Sequence, residues 1–303
     1  MNYRGLIVED TTCECTDVYI ARVLLTAISK PVAIHEATYL CGWSIITAVP
    51  IQGCVEGVVP PSATPDGRPG ILIQLNAPTP VGLESFRRAV LERLYILPHL
   101  PTCSVFDATP KGTAEYWIDV AAHVGRWGDG FERDVVVSDR EALSIPIMTG
   151  DQLIERQLGI CTGTDGVIEV FGQTVESCMT GAQEAAARIV RDTSHVAVFN
   201  YPVGGISGAK VGGTTYTEEG VTINEPFCPS LRNAVTTKIP NRANAVIEFP
   251  LIATSDSAIR QGLKMAIDAF AGTPGIVEIT APSFDGAWGG RQLALRDLLE
   301  GTE

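Results

Sequence analysis

The sequence predicts an α+β protein of two lobes, each a ferredoxin-like sandwich with the element order β-α-β-β-α-β. Short apolar segments alternate with segments that carry apolar residues at helical spacing, and the same order can be followed twice along the chain. The 303 residues, 45% of them hydrophobic, are enough for two domains with cores of their own. We predict one domain over residues 1–149 and a second over residues 150–303.

The second half shows this order more clearly. Strands are predicted at 167–172, 195–199, 245–252 and 276–280, and helices at 177–190 and 257–271. In the first helix Met179, Ala182, Ala186 and Ile189 recur at helical spacing. The polar residues 254–256 supply N-cap chemistry for the second helix.

The first half gives the same order with little sequence in common. Strands are predicted at 5–8, 44–49, 70–76 and 103–106, and helices at 16–28 and 81–96. The segment 109–160 is less regular and forms an extension of the first lobe.

Charge and composition exclude several classes of protein. A net charge of −13 with no basic patch argues against nucleic-acid binding. The uncharged stretch 37–55 contains glycine and proline at positions that fit a strand and a turn better than a membrane span. With no targeting motif, we expect a cytoplasmic protein.

Metal and disulfide chemistry is also not indicated. The eight cysteines include no Cys-x-x-Cys pair, which is typical of reduced, buried thiols in a cytoplasmic protein. None of the four histidines has a second ligand at metal spacing, so neither a zinc site nor a Ser-His-Asp site is expected.

Glu248 is the most informative residue, because it is the one charge in the apolar strand predicted at 245–252. Strand side chains alternate between faces, which places Glu248 on one face with Val246 and Pro250. An unpartnered carboxylate is costly to bury and tends to take up a proton, which suits acid–base chemistry near neutral pH. The alternative is a structural glutamate paired with an arginine from elsewhere in the fold.

Two loops are candidates for ligand binding. The proline-rich loop 59–70 holds Asp66 and Arg68, which suit an anion or an amide; its alternative role is a connector between strands. The loop 201–213 has five glycines, whose backbone N–H groups can point at a ligand, and adds Ser207 and Lys210. It matches neither a Walker loop nor a dinucleotide fingerprint, and its alternative role is a flexible connector.

Several segments together resemble one family, the formylmethanofuran–tetrahydromethanopterin formyltransferases. The matching segments run in the family's order along almost the whole chain: 8–11, 21–24, 59–61, 64–70, 106–108, 128–130, 202–212, 227–229 and 274–275. The sequence departs from archaeal members around 109–126 and 217–239. The resemblance implies two ferredoxin-like lobes and transfer of a formyl group between methanofuran and N5 of tetrahydromethanopterin.

The resemblance also implies residue roles. The family's catalytic glutamate matches Glu248, and no bound cofactor or metal is expected, with methanofuran and tetrahydromethanopterin as substrates. Substrate-binding roles are expected for Asp66, Arg68, Phe106, Asp107, Gly204, Gly205, Ser207 and Lys210.

The family's assemblies leave two alternatives open. Archaeal members form tetramers, whereas the bacterial relatives serve one-carbon oxidation in methylotrophs within a formyltransferase/hydrolase complex. The low lysine content, 5 lysines against 17 arginines, favours the bacterial branch. The alternative function is a non-catalytic subunit that binds methanofuran for its partner subunits. A covalent route through Cys228 is a minor alternative to direct transfer.

Overall fold

A computed structural model of the chain describes residues 1–42, 51–211, 215, 221–282 and 290–300. The strands among these residues are β1 Asn2–Tyr3, β2 Leu6–Val8, β3 Thr12–Cys15, β4 Asp17–Thr26, β5 Gln52–Val59, β6 Gly70–Pro78, β7 Ser104–Asp107, β8 Tyr116–Asp119, β9 Arg133–Val137, β10 Arg140–Ile147, β11 Gly150–Glu155, β12 Gln157–Gly172, β13 Val196–Val198, β14 Ala209–Val211, β15 Val221–Ile223, β16 Ala245–Ala253, β17 Ile276–Thr280 and β18 Arg291–Ala294. The helices are α1 Lys30–Cys41, α2 Leu83–Leu94, α3 Val120–Val124, α4 Val175–Asp192, α5 Asp256–Ala271 and α6 Leu295–Leu299.

The chain folds into two compact units, and the mixed α/β class is confirmed. The first unit spans residues 18–163, and the second combines residues 1–17 with 164–303. The division predicted near residue 150 falls in the turn between β10 and β11, which pair antiparallel. The domain boundary at 149/150 stays a prediction. No helix in the described ranges is long and apolar enough to cross a membrane.

The first unit is built on a sheet with the strand order β5-β6-β4-β7-β11-β10-β9. Along the chain its elements follow β4-α1-β5-β6-α2-β7, and α1 and α2 both pack on β6. The segment after residue 109, which was predicted to be irregular, instead forms β8 to β11 and α3.

The predicted helix at 16–28 is wrong, because residues 17–26 form the central strand β4. This strand pairs antiparallel with β6 on one side and β7 on the other, and eight of its ten residues are buried. A strand buried on both faces is apolar throughout, so its pattern resembles that of a buried helix. The helix lies further along as α1, which begins after Ser29 with a proline in its first turn. The strand predicted at 44–49 falls outside the described residues.

A buried ion pair lies on the sheet of the first unit. Arg22 of β4 donates from Nε to Glu56 at 2.9 Å and also bonds Glu56 through Nη2. Gln74 of β6 donates to the same carboxylate at 2.8 Å. Because both charges are paired and hydrogen-bonded, they can be buried in the sheet.

The second unit carries a sheet with the strand order β1-β2-β17-β12-β16-β13. Along the chain its elements follow β12-α4-β13-β16-α5-β17, as the sequence predicts. The predicted N-cap is confirmed: the Ser255 hydroxyl accepts from the backbone N–H of Ala258 at 3.2 Å. Helices α4 and α5 pack on each other and on β16, where the rings of Phe249 and Phe270 meet edge to face at 5.4 Å.

The opposite face of β16 packs against residues of the segment that precedes it. Phe171 of β12 forms a buried cluster with Ile239 and Ala243, and Val246 and Phe227 pack against that cluster. Glu248 lies on this face, two residues from Val246, as the alternation of the strand predicts.

Candidate active site

Glu248 lies in the middle of β16, which is an inner strand of the second unit's sheet. On one side its Cα partner is Glu169 of β12. On the other side Ile206 of the glycine-rich loop forms an antiparallel bridge to it, with both N–H to C=O distances at 2.9 Å. The backbone of Glu248 is therefore held from both neighbours, which fixes where its side chain leaves the sheet.

The Glu248 side chain is half-buried. Burial raises the pKa of its carboxyl from 4.5 to about 7. A carboxyl with this pKa exists in both protonation states near neutral pH, so it can give and take a proton.

The glycine-rich loop lies directly against this carboxyl. A methyl group added to Gly208 would sit 2.6 Å from Cδ of Glu248 and closer still to its Oε1. Only a residue without a side chain leaves room for the carboxyl here. Gly208 was not among the predicted site residues, although it belongs to the loop that the sequence singled out.

Gly204 and Gly205 have a packing role in this structure. Both are buried; Gly204 has a φ of +86°, and a side chain on it would meet the carbonyl oxygen of Ala182 in α4. A side chain on Gly205 would meet the Ile247 side chain. These glycines let the loop approach α4 and β16, which places Gly208 over the carboxyl. Their predicted contact with substrate stays a prediction.

Ser207 and Lys210 lie on the same loop. Ser207 is exposed next to Gly208, so its hydroxyl is accessible. Lys210 forms an ion pair with Glu225 at 2.5 Å. A substrate anion would have to compete with Glu225 for this charge. Residues 212–213 of the loop fall outside the described part of the chain.

The other predicted binding residues belong to the first unit. Arg68 donates from Nε to Asp66 at 2.9 Å and from Nη1 to the carbonyl of Thr102 at 2.6 Å. Asp66 also accepts from the hydroxyl of Thr26 at 2.6 Å. The two side chains thus order their own loop, and their role in binding a substrate stays a prediction.

Phe106 and Asp107 end strand β7. The Phe106 ring is fully buried. The Asp107 carboxylate accepts backbone N–H groups from Thr109 at 3.2 Å and from Gly159 at 3.0 Å. Both residues therefore have structural contacts of their own, and their role toward a substrate stays a prediction.

Glu169 is a second residue that was not predicted from the sequence. It is 2% exposed, lies opposite Glu248, and its Oε2 has no hydrogen-bond partner among the described residues. Burial, and next the neighbouring Glu248, raise the pKa of Glu169 to about 8. The signal that identified Glu248, one charge in an apolar strand, is also present in 167–172.

No group of three or more His, Cys, Asp or Glu side chains in the described ranges is arranged to hold a metal ion. The eight cysteines all lie within those ranges and are free thiols.

A carboxyl that titrates near neutrality beneath a glycine-rich loop defines a class of site suited to proton-assisted group transfer. The family model described as formylmethanofuran-tetrahydromethanopterin formyltransferase matches residues 1–147, and the model of its proximal lobe matches residues 150–298. The chain belongs to this family of formyltransferases.

Individual relatives agree along the full length. The formylmethanofuran–tetrahydromethanopterin formyltransferase of Methanothermobacter thermautotrophicus is 33% identical over 304 residues, which cover 98% of this chain and 100% of the relative. The enzyme of the same name from Archaeoglobus fulgidus is 35% identical over 305 residues, again 98% of this chain and 100% of the relative.

Two solved structures share the fold. The formyltransferase of Methanosarcina barkeri superposes with a TM-score of 0.89 at 31% identity, covering 98% of this chain and 100% of that one. A chain of the formyltransferase/hydrolase complex of Methylorubrum extorquens, solved with methylofuran, superposes with a TM-score of 0.85 at 24% identity, covering 99% of each chain.

Proposed function

We propose that this chain transfers a formyl group between methanofuran and N5 of tetrahydromethanopterin, by direct transfer in a ternary complex. The observation that carries the proposal is the Glu248 carboxyl, half-buried on β16 with a pKa raised to about 7 and covered by Gly208. Membership of the formyltransferase family supplies the substrates.

The proposed reaction begins with attack of the pterin N5 on the formyl carbon. A C–N bond forms, the carbonyl π electrons move to oxygen, and a tetrahedral oxyanion results. Protonated Glu248, or backbone N–H groups of the glycine-rich loop, stabilise this charge by hydrogen bonding. An apolar surrounding strengthens such a bond because little water competes for it.

The intermediate then collapses. The bond from the carbon to the methanofuran nitrogen breaks, and that nitrogen leaves as an amine after taking a proton. Glu248 supplies this proton and regains one from N5, which carries an extra proton after its attack. The formyl carbon keeps its oxidation level throughout, so the transfer requires no redox cofactor.

We propose substrate contacts for Ser207 and Lys210 because they flank Gly208, and binding roles in the first unit for Asp66, Arg68, Phe106 and Asp107. The β-α-β-β-α-β order in each unit supports a ferredoxin-like description of both lobes. We place the chain in the cytoplasm without a bound cofactor.

For assembly we propose a homotetramer or one subunit of a larger complex. The similar chain of Methylorubrum extorquens is part of a formyltransferase/hydrolase complex, which supports the second arrangement. If the present chain had only a binding role in such a complex, it would take up methanofuran without turning it over.

The test is formyl transfer by the purified chain, with formylmethanofuran and tetrahydromethanopterin as substrates and the 5-formyl product as readout. Turnover by wild type that Glu248→Gln abolishes is the expected result. Binding of both substrates without turnover, in a correctly folded wild-type chain, would contradict the catalytic proposal and favour the binding subunit.

A further inference from the structure

Glu169 is the described buried carboxyl closest in register to Glu248. The two residues are Cα partners on the antiparallel strands β12 and β16. Directly opposite side chains share a face of the sheet and have Cβ atoms about 5 Å apart. The two carboxyls therefore leave the same face as neighbours.

The burial of Glu169 leaves one of its carboxyl oxygens without a hydrogen bond in the described structure. Glu169 is 2% exposed, and that oxygen is Oε2. A buried polar group without a partner costs stability, and a buried charge costs more. Its occurrence opposite the candidate catalytic carboxyl therefore calls for a role connected to that carboxyl.

The other groups around Glu169 have opposing effects on its charge. On the far side of β12 the register partner of Glu169 is Thr280 of β17, which is neutral. Glu9 follows the end of β2, the strand that pairs with β17. The negative charge of Glu9 adds to that of Glu248, whereas Lys238, in the segment that covers this face, opposes it. The Lys238 ammonium lies 5.6 Å from the centre of the Phe227 ring, so this cation is held beside the apolar cluster.

We propose that Glu169 is a positioning residue that shares a proton with Glu248, so that the pair keeps a proton available for transfer. Two buried carboxyls side by side cannot both ionise cheaply, so the pair retains one proton where a lone carboxyl would lose it. The proposal rests on the proposed function for its catalytic consequence. Proton sharing itself is a property of the folded protein and can be measured without turnover.

The number of protons held by Glu169 and Glu248 is the same before and after one formyl transfer. Glu248 gives its proton to the departing amine, and the pterin N5 returns one after its attack. The pair thus ends with the number of protons it had at the start, and Glu169 sets which carboxyl holds them between turnovers. Glu169 need not touch the substrate for this role.

The kinetic test is the pH dependence of kcat for wild type, Glu169→Gln and Glu169→Asp. In wild type the last proton of the pair is lost with the pKa of Glu169, about 8. The pKa of Glu248, about 7, is raised by burial, so we expect it to stay near this value when Glu169 is replaced. We expect the kcat of Glu169→Gln to equal that of wild type at pH 6 and to be about fivefold lower at pH 8. The reason is that the alkaline limb of the profile, where kcat falls with rising pH, moves to lower pH by about one pH unit. Glu169→Asp keeps a carboxyl and should restore the alkaline limb.

Glu278→Gln is the matched control. Glu278 lies on β17 opposite Phe171, on the same face and two residues from Thr280, and it is partly exposed. Its loss removes one negative charge from this face without removing the partner of Glu248, so the alkaline limb should stay in place. An unchanged limb in Glu169→Gln, or an equal loss at every pH, would overturn the proposal.

A second readout is independent of activity. The carboxyl carbons of ¹³C-labelled glutamates are followed by NMR during a pH titration of wild type, Glu169→Gln and Glu248→Gln. In each variant the remaining carboxyl should lose its proton at a lower pH than the pH at which the wild-type pair loses its last proton. Identical titrations in wild type and variants would refute proton sharing even if the chain proved not to be a formyltransferase.

Discussion

Replacing Glu169 by glutamine should change the free energy of unfolding in a way that depends on pH. In the folded protein the pKa of Glu169 is raised from 4.5 to about 8, so the folded state binds more protons than the unfolded state within this window. The contribution of Glu169 is therefore fully present below pH 4.5 and is lost as pH rises through 8. Glutamine mimics the protonated carboxyl and does not titrate.

The size of the effect follows from the shift. At about 1.4 kcal/mol per pKa unit, the raised pKa of Glu169 lowers the free energy of unfolding by roughly 4–5 kcal/mol once the carboxyl is ionised. Part of it comes from Glu248, whose charge is present in the same pH range, so roughly 3–5 kcal/mol is the expected range. Glu169→Gln should lie within about 1 kcal/mol of wild type at pH 5 and be more stable by roughly 3–5 kcal/mol at pH 9.

Urea unfolding at pH 5 and pH 9, followed by circular dichroism, measures this difference. Glu248→Gln should behave in the same direction with a smaller gain, because its carboxyl starts from a pKa of about 7. A stability difference that is the same at both pH values, or a variant that is less stable than wild type at pH 9, would refute the reasoning.

Three further substitutions test the contacts described above. Gly208→Ala should lower kcat by roughly 10–100-fold with little loss of stability, because its methyl group displaces the Glu248 carboxyl; a rate within twofold of wild type would contradict the contact. Arg22→Met should destabilise the chain by about 3–5 kcal/mol in urea unfolding, since it removes the guanidinium partner of buried Glu56, and a loss below 1 kcal/mol would contradict this. Cys228→Ser should keep full formyl transfer, and an inactive but folded variant would favour a covalent route.

The second half of the fold was predictable because its patterns are unambiguous. Helices α4 and α5 are amphipathic and carry N-caps at Thr174 and Ser255. In the first half β4 is buried along almost its whole length, so its pattern does not distinguish a strand from a helix. Pairing with β6 and β7, which only the folded chain provides, decides between them.

The candidate site, too, could be predicted from the sequence only in part. Glu248 stands out in the sequence because a charge inside an apolar strand is unusual. The importance of Glu169 depends on the register between β12 and β16, which sequence patterns do not give. Likewise the bond between Asp66 and Arg68 and the ion pair of Lys210 with Glu225 use up charges that looked available in the sequence.

The most direct test of the central claim is the single-turnover rate of formyl transfer by Glu248→Gln beside wild type, with substrate binding measured separately. The variant is expected to fold, to bind both substrates, and to transfer formyl at least about 100-fold more slowly, since glutamine cannot give up a proton to the departing amine. A rate within a few fold of wild type would show that Glu248 is not the catalytic acid.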